Sequence, residues 1–257
     1  MYVWFDALNI YQTAVGWGYD QKLYEKWWPA DLHVIGKDII RFHAVYWPAM
    51  LMSAKLHLPK SLLVHGFITS SGKKMSKTIG NVVDPYAMIE KFGVEAFRYY
   101  LLSQIPTQDD GDLTEERMNA VYVSDLQNGL GNLVARVSTL CEKYGLNLKD
   151  DTNDRNGLVD DIAIYLESYQ FDQALKIIWG NIAGLDRYMS EQRPWQQESS
   201  EANQTLSNIV IGMTGLRGIR DIAEALTPFM PETAGKIAKQ FGGGKIEKAP
   251  PLFPRLA

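Results

Sequence analysis

Lys73-Lys74-Met75-Ser76-Lys77-Thr78 gathers three ammonium groups and two hydroxyls in six residues, flanked by Gly72 and Gly80. The stretch directly follows an apolar run that reads as a buried strand, Ser61 to Ile68. Loops that leave the C-terminal ends of parallel strands are where α/β folds bind ligands. Mobile ammonium groups in such a loop can neutralise triphosphate charge as it builds up in phosphoryl or nucleotidyl transfer. Taken only as a cluster of lysines, the segment is a solvated basic loop. It is not a Walker loop, because the Gly-x-x-x-x-Gly-Lys-Ser/Thr pattern is absent. A second constellation is Asn128, Asn132 and Arg136, at i, i+4 and i+8. On a helix these form one stripe, and two amides with a guanidinium offer planar hydrogen-bonding edges suited to nucleobases. The plain alternative is a solvated helix face.

These groups need elements to position them. Tyr2-Val3-Trp4-Phe5-Asp6 reads as a strand. Leu32-His33-Val34-Ile35 is a short apolar run ended by Gly36, a second strand. Asp38 can cap a helix through Ile39, Phe42, Val45 and Tyr46, with Pro48 kinking it. Asp84-Pro85 opens another helix in the favoured cap-then-proline order. Strand, helix and strand in succession predict a parallel α/β sheet. After residue 113 the pattern changes. Leu113-Thr114-Glu115-Glu116 starts a long helix that runs to Tyr144 and ends at Gly145. Residues 150–157 read as a polar linker. Helical periodicity returns over 162–169, 174–189, 206–225 and 233–240, and no strand is expected beyond 113. The expected fold is therefore α/β over 1–113 and an all-α bundle over 114–257.

Composition narrows the function classes. The 257 residues are 46% hydrophobic and 22% charged, as in a globular chain rather than a disordered one. No apolar run reaches membrane-spanning length, and the N-terminus has no leader-like pattern. No membrane partner is expected. Cys141 is the single cysteine, which excludes an internal disulfide and argues against a Cys-based zinc site. A reducing, cytoplasmic setting is the expectation. The net charge of −4 runs against nonspecific nucleic-acid binding, so any such function must rest on local residues.

Lys74-Met75-Ser76-Lys77-Thr78 closely resembles the Lys-Met-Ser-Lys-Ser signature of class I aminoacyl-tRNA synthetases, with Thr78 in place of the last serine. His65-Gly66-Phe67-Ile68 before it, Gly80-Asn81-Val82-Val83-Asp84-Pro85 after it, and Phe97-Arg98-Tyr99-Tyr100-Leu101-Leu102 fit the same setting. Three further stretches are similar to the methionyl-tRNA synthetase family. Val3-Trp4-Phe5-Asp6-Ala7-Leu8-Asn9-Ile10-Tyr11 resembles its methionine-pocket segment. His33-Val34-Ile35-Gly36-Lys37-Asp38-Ile39-Ile40-Arg41-Phe42-His43, followed by Trp47-Pro48-Ala49, resembles its Gly-Lys-Asp-Ile segment. Asn128-Gly129-Leu130-Gly131-Asn132-Leu133-Val134-Ala135-Arg136 and Arg193-Pro194-Trp195 resemble its anticodon-reading helix and its Pro-Trp pair.

The resemblance implies the C-terminal half of a Rossmann-like catalytic domain followed by a helical anticodon-binding bundle. By it, Lys77 and Lys74 are the catalytic lysines, stabilising the pyrophosphate leaving group. Gly36, Asp38, Lys74, Ser76 and Lys77 meet ATP, with Asp38 accepting from ribose hydroxyls. Trp4, Ala7, Tyr11, Phe42 and His43 surround methionine, where an aromatic ring against the thioether suits sulfur's polarisability. Leu8 stands where some relatives have proline. Asn128, Asn132, Arg136 and Trp195 hold the tRNA(Met) anticodon, the tryptophan by stacking on a base. The implied cofactors are ATP and its Mg2+, with no zinc or other metal held by this chain. The family's His-Ile-Gly-His signature and insertion domain are not found. Expected alongside tRNA(Met) and methionine is therefore a partner carrying that first half. The chain is expected to be an excised fragment, a subunit of a split enzyme or a truncated product, and inactive in methionine activation alone. The readings left open are a synthetase for another amino acid and a noncatalytic tRNA-binding module.

Overall fold

The computed structural model describes residues 2–78, 80–148 and 157–256. They form two compact units, one of Met1–Phe67 with Thr107–Gly111, the other of Ile68–Pro106 with Asp112–Ala257.

In the first unit the N-terminal stretch is helical, not the strand its apolar content suggests: α1 spans Val3–Ala7 and α2 Ile10–Thr13. The burial pattern explains why. Val3 and Phe5 are exposed, whereas Leu8 and Gln12 are buried and Trp4 is half-buried. Positions 4, 8 and 12 follow the helical period, not the alternation of a strand. The buried Gln12 accepts from the Tyr24 hydroxyl at 2.9 Å. Helix α3 (Gln21–Trp27) is capped by Asp20, which accepts from the Leu23 N–H. Leu8, Tyr24, Trp28, Trp47 and Leu51 make this unit's core.

Strand β1 (His33–Gly36) follows α3, and helical turns then lead to α4 (Trp47–Ser53) and to β2 (Leu62–His65). The strands pair in parallel, His33 opposite Leu62 and Gly36 opposite His65. The intervening turns differ from the expected capped helix. Asp38 lies inside a 3-10 turn, Lys37–Ile39, whose N-cap is Gly36 with no side-chain cap. Phe42–Tyr46 then forms a π-helical turn, and Pro48 sits in the first turn of α4. In a regular α-turn the Pro48 ring would crowd the carbonyl four residues back, and a wider turn relieves that. The run from Ser61 to Ile68 is interrupted at Gly66. A Cβ there would lie 2.0 Å from the Asp109 carbonyl oxygen, and the Gly66 N–H instead bonds Thr107.

The second unit opens with the hairpin β3 (Ile68–Ser70) and β4 (Lys73–Lys74). Helix α5 (Pro85–Phe92) begins as expected, with Asp84 accepting from the Tyr86 N–H, and α6 (Val94–Gln104) follows. Thr114 caps α7 (Glu115–Val121). The helical rod continues through a ten-residue π segment, Tyr122–Gly131, into α8 (Asn132–Tyr144). Gly145, at φ 65°, ends it, and the Leu146 N–H reaches back to the Cys141 carbonyl. The expected polar linker, residues 150–156, lies outside the described residues. Helices α9 (Leu158–Glu167) and α10 (Phe171–Gln192) match the predicted periodicity closely.

The single helix expected over 206–225 is two, α11 (Ser199–Ile211) and α12 (Ile219–Leu226). Gly212 and Gly215 take positive φ between them and turn the chain into a hairpin pairing Gly212–Met213 with Leu216–Arg217. With Asn147–Leu148 paired to Gly244–Lys245, short strands do occur beyond residue 113. The last helix is α13 (Pro231–Phe241). The tail then folds back, with Phe253 buried and the Tyr122 hydroxyl donating to the Pro254 carbonyl.

Helix α6 interlocks with the α12–α13 turn. Arg98 donates to the carbonyls of Pro228 and Phe229, while Glu95 accepts from the N–H groups of Glu232 and Thr233 and from the Thr233 hydroxyl. One carboxylate thereby satisfies donors that open α13. Cys141 is fully buried in this unit, and burial pushes its thiol up to about 12. Among the described residues no helix is long and apolar enough to cross a membrane. Replacing Glu95 with Ala is expected to destabilise the helical unit by about 0.5–1.5 kcal/mol, because the exposed and half-buried donors that open α13 lose their acceptor. An unchanged urea midpoint would count against that role.

Candidate functional site

In the first unit the aromatic residues singled out by sequence come together. The Trp4 ring on α1 stacks on Phe42 at 4.1 Å with 13° between planes. Behind them His43 is buried, its Nδ1 3.0 Å from the Ile39 carbonyl oxygen and its Nε2 2.9 Å from the Tyr11 hydroxyl. A carbonyl only accepts, so Nδ1 carries the proton and Nε2 of the neutral ring accepts from Tyr11. That relay fixes both the imidazole tautomer and the Tyr11 hydroxyl. Burial raises the Tyr11 phenol above its ordinary value, which keeps it a donor. Ala7 is exposed at the end of α1, one turn after Trp4. Leu8 is core rather than pocket.

Sequence reading missed His33. Its ring lies 4.4 Å from Tyr11 and 6.4 Å from His43, and its Nδ1 is buried with no hydrogen-bond partner among the described residues. Tyr11 and His33, with Trp27, Trp28 and Leu32, line a cavity of about 240 Å³. Position 33 reads as an ordinary strand residue. Only the aromatic density at 11, 28, 43 and 47 hinted at a ring cluster.

Gly36 stands at the carboxyl end of β1, where a Cβ would come within 3.0 Å of Asp38 Oδ1. Asp38 is exposed. Between them in sequence, Lys37 pairs with Asp110 at 2.6 Å, and Asp110 also accepts from the Phe67 N–H. The Lys37 bond first, then that N–H, holds the Asp110 carboxyl below its usual range. Asp110 was not anticipated, because its partner lies 73 positions away in a chain rich in acidic residues.

The lysine loop in the second unit is braced by side chains outside the signature. Ser71 and Gly72, both at positive φ, make the tight turn from β3 to β4. Asp112 grips that turn, accepting from the Gly72 N–H at 2.8 Å and the Thr69 hydroxyl at 2.9 Å, and these bonds depress its carboxyl. Asn81 spans the signature, accepting from the Ser76 N–H and donating to the Lys74 carbonyl. The Ser76 hydroxyl accepts from the Thr78 N–H. Lys77 is exposed and has no ion pair among the described residues. The backbone is thus held while the Lys77 ammonium stays available to an anion.

Of the expected nucleobase stripe, Asn132 and Arg136 share α8, whereas Asn128 lies in the π segment, whose wider turn departs from the regular spacing assumed for all three. Trp195 reaches the same place from another direction. Arg193 in the left-handed region ends α10, and Pro194–Gln196 forms a 3-10 turn. The Arg136 guanidinium lies 5.8 Å from the Trp195 ring centre and bonds Asp186 on α10 at 2.6 Å. Trp195 is 39% exposed, a large aromatic face open to a stacking partner. Among the described residues no group of His, Cys, Asp or Glu is arranged to hold a metal ion.

Burial, then the neighbouring His43, lowers the His33 pKa. The unfolded chain therefore takes up the proton first, and this group's stabilising contribution, full above the ordinary histidine range, is lost as pH falls through it. His33→Gln is expected to flatten the loss of thermal stability between about pH 7.5 and pH 5.5. Parallel slopes for the two proteins would contradict this.

The sequence matches a family model described as tRNA synthetases class I (M) over residues 1–138. Methionine–tRNA ligases of Fusobacterium nucleatum and Clostridium acetobutylicum are each 39% identical to it, and the alignments cover 99% and 100% of this chain. The chain spans about half the length of these relatives, 45% and 44%, and aligns with their C-terminal portion. A solved Mycobacterium tuberculosis methionyl-tRNA synthetase in complex with methionyl-adenylate superposes with a TM-score of 0.84 at 36% identity, over 99% of this chain and 56% of that one. The apo form gives 0.79 at 32% identity. The α/β part followed by a helical bundle, and the resemblance read from the lysine loop and the aromatic segments, thus rest on an alignment along the whole chain: it belongs to the methionyl type of class I tRNA synthetases.

Proposed function

We propose that this chain supplies the C-terminal half of a methionine–tRNA ligase, with a catalytic part over 1–113 and an anticodon-binding part over 114–257. The observation that carries this reading is the Trp4–Phe42 stack beside the Tyr11–His43 hydrogen bond. It puts two polarisable ring faces beside a hydroxyl whose proton is already committed to His43, an environment suited to a thioether side chain. The names and whole-chain identity of the relatives support the same assignment.

In the proposed reaction the methionine carboxylate attacks the α-phosphate of ATP. Pyrophosphate leaves, and the adenylate then esterifies the tRNA end. Trp4, Ala7, Tyr11, Phe42 and His43 bind methionine. Gly36 allows close approach of the nucleotide, and Asp38 accepts from its ribose. Lys77, assisted by Lys74, stabilises the leaving pyrophosphate, with the Ser76 segment fixed by Asn81. Magnesium arrives with ATP as part of the substrate and shares its charge. Asn132, Arg136 and Trp195 grip the anticodon, with Asn128 in support. Stacking on a tryptophan adds about 1–3 kcal/mol per base and needs little net positive charge, which reconciles tRNA binding with an acidic chain.

The chain alone is expected to show no methionine-dependent pyrophosphate exchange. When it is supplied with a partner carrying the first half, Lys77→Ala should slow exchange by about 100-fold or more. Exchange by the chain alone, or an unaffected Lys77→Ala complex, would reject the catalytic assignment. The anticodon assignment is tested separately, by binding of the chain to a tRNA with a CAU anticodon and to one altered only in those bases, at one salt concentration. A preference for CAU that disappears in Trp195→Ala is the expected result.

A further inference from the structure

The Arg136 guanidinium lies 5.8 Å from the Trp195 ring centre, and its pair with Asp186 is half-exposed, with 34% and 47% of the two side chains accessible. An exposed pair of this kind contributes little to stability. Its geometry is nevertheless specific. Asp186 engages only Nη1 of Arg136. Oδ2 of Asp186, and Nε and Nη2 of Arg136, have no hydrogen-bond partner among the described residues. The two helices therefore present acceptor and donor atoms side by side, with the guanidinium 5.8 Å from the centre of the part-exposed Trp195 ring and Asn132 exposed on the same helix as Arg136. A lone guanidinium beside a tryptophan would attract any phosphate, whatever the sequence of the RNA. A carboxylate in contact with it cancels that charge and adds an acceptor that repels phosphate oxygen.

We propose that Asp186 is a positioning residue for base recognition, turning Arg136 from a phosphate-binding cation into a reader of a nucleobase edge. The ligand it suits is an unpaired base stacked on Trp195 that offers a donor and an acceptor along one edge. This inference rests on the anticodon reading proposed above. Asp186 holds the guanidinium fork in one orientation, so its free N–H groups meet the acceptor of such a base, while Oδ2 takes the base's donor. Neutralising the pair removes the sequence-independent part of the attraction.

The test uses the full chain and its Asp186→Asn variant, bound to tRNA with a CAU anticodon and to tRNAs altered singly at each of the three bases, over a range of salt. Wild-type protein is expected to prefer CAU. Asp186→Asn is expected to lose about ten-fold of that preference, and its binding should depend more steeply on salt, by about 0.7 in the log–log slope, as one positive charge is released to phosphate. A merely structural role would lower all affinities together and leave both the ratio and the slope unchanged. That result, with a wild-type preference intact, overturns the role of Asp186 alone. No wild-type preference overturns the anticodon reading and this inference with it. Equal melting temperatures of the two proteins show that the variant is folded.

Discussion

The rod from Glu115 to Tyr144 must bury an apolar stripe while carrying polar side chains on its other side, and the second unit is built around how it does so. Leu126, Leu130, Leu133, Val137 and Cys141 are all buried along it, in one core with residues of α10 and α11. The stripe cannot keep one regular period throughout, because Tyr122–Gly131 is wound with five-residue hydrogen bonds. Gly131 closes that segment against the Leu126 carbonyl, where a Cβ would come within 2.8 Å, and Phe253 of the tail lies 3.4 Å from the same point. The change of winding thus coincides with a place where only glycine fits and where the C-terminal tail seats. It shifts the side chains after it in phase, which sets the direction in which Asn132 and Arg136 point.

The first unit solves a different problem, the burial of polar rings. His43 is satisfied at both nitrogens, by a carbonyl and by a tyrosine. Gln12 and Tyr24 satisfy each other. Among the described residues of this unit, His33 Nδ1 and Trp47 Nε1 are buried without a partner, and His33 lines the cavity beside Tyr11. A buried polar atom without a partner is unfavourable for folding. Such groups are tolerated where a site needs a hydrogen-bonding function held in reserve.

Much of this was legible in the sequence because it is local. The Asp84 cap, the Thr114 cap and the Gly145 stop depend on residues within a few positions of one another, and the structure forms each of them, whereas the stretch from Thr69 to Lys74, expected to be loop, is a hairpin with Lys73–Lys74 in β4. The stacking of Trp4 on Phe42 and the approach of Arg136 to Trp195 were reachable only through family resemblance, since 38 and 59 residues separate the partners. What escaped was nonlocal or a matter of winding. Asp110 and Asp112 brace segments some forty residues or more away, and an aspartate in an acidic stretch does not announce its partner. The π segment and the break at Gly212 both keep an apolar pattern that an α-helix would also show. Glycine spacing was the only sign of either. The N-terminal strand was misread because five consecutive residues cannot distinguish alternation from a helical period until the next turn is counted.

Cys141 has a practical consequence. Its side chain is wholly inside the helical core, and its thiol holds its proton far above neutral pH. A thiol-selective reagent at pH 7–8 attacks the thiolate, so the native fold gives it nothing to attack. A cysteine placed on the surface, for instance at Thr139 on the exposed side of α8, would therefore carry a dye or spin label without removal of the natural one. Slow modification of Cys141 itself would then report how often the helical core opens around it.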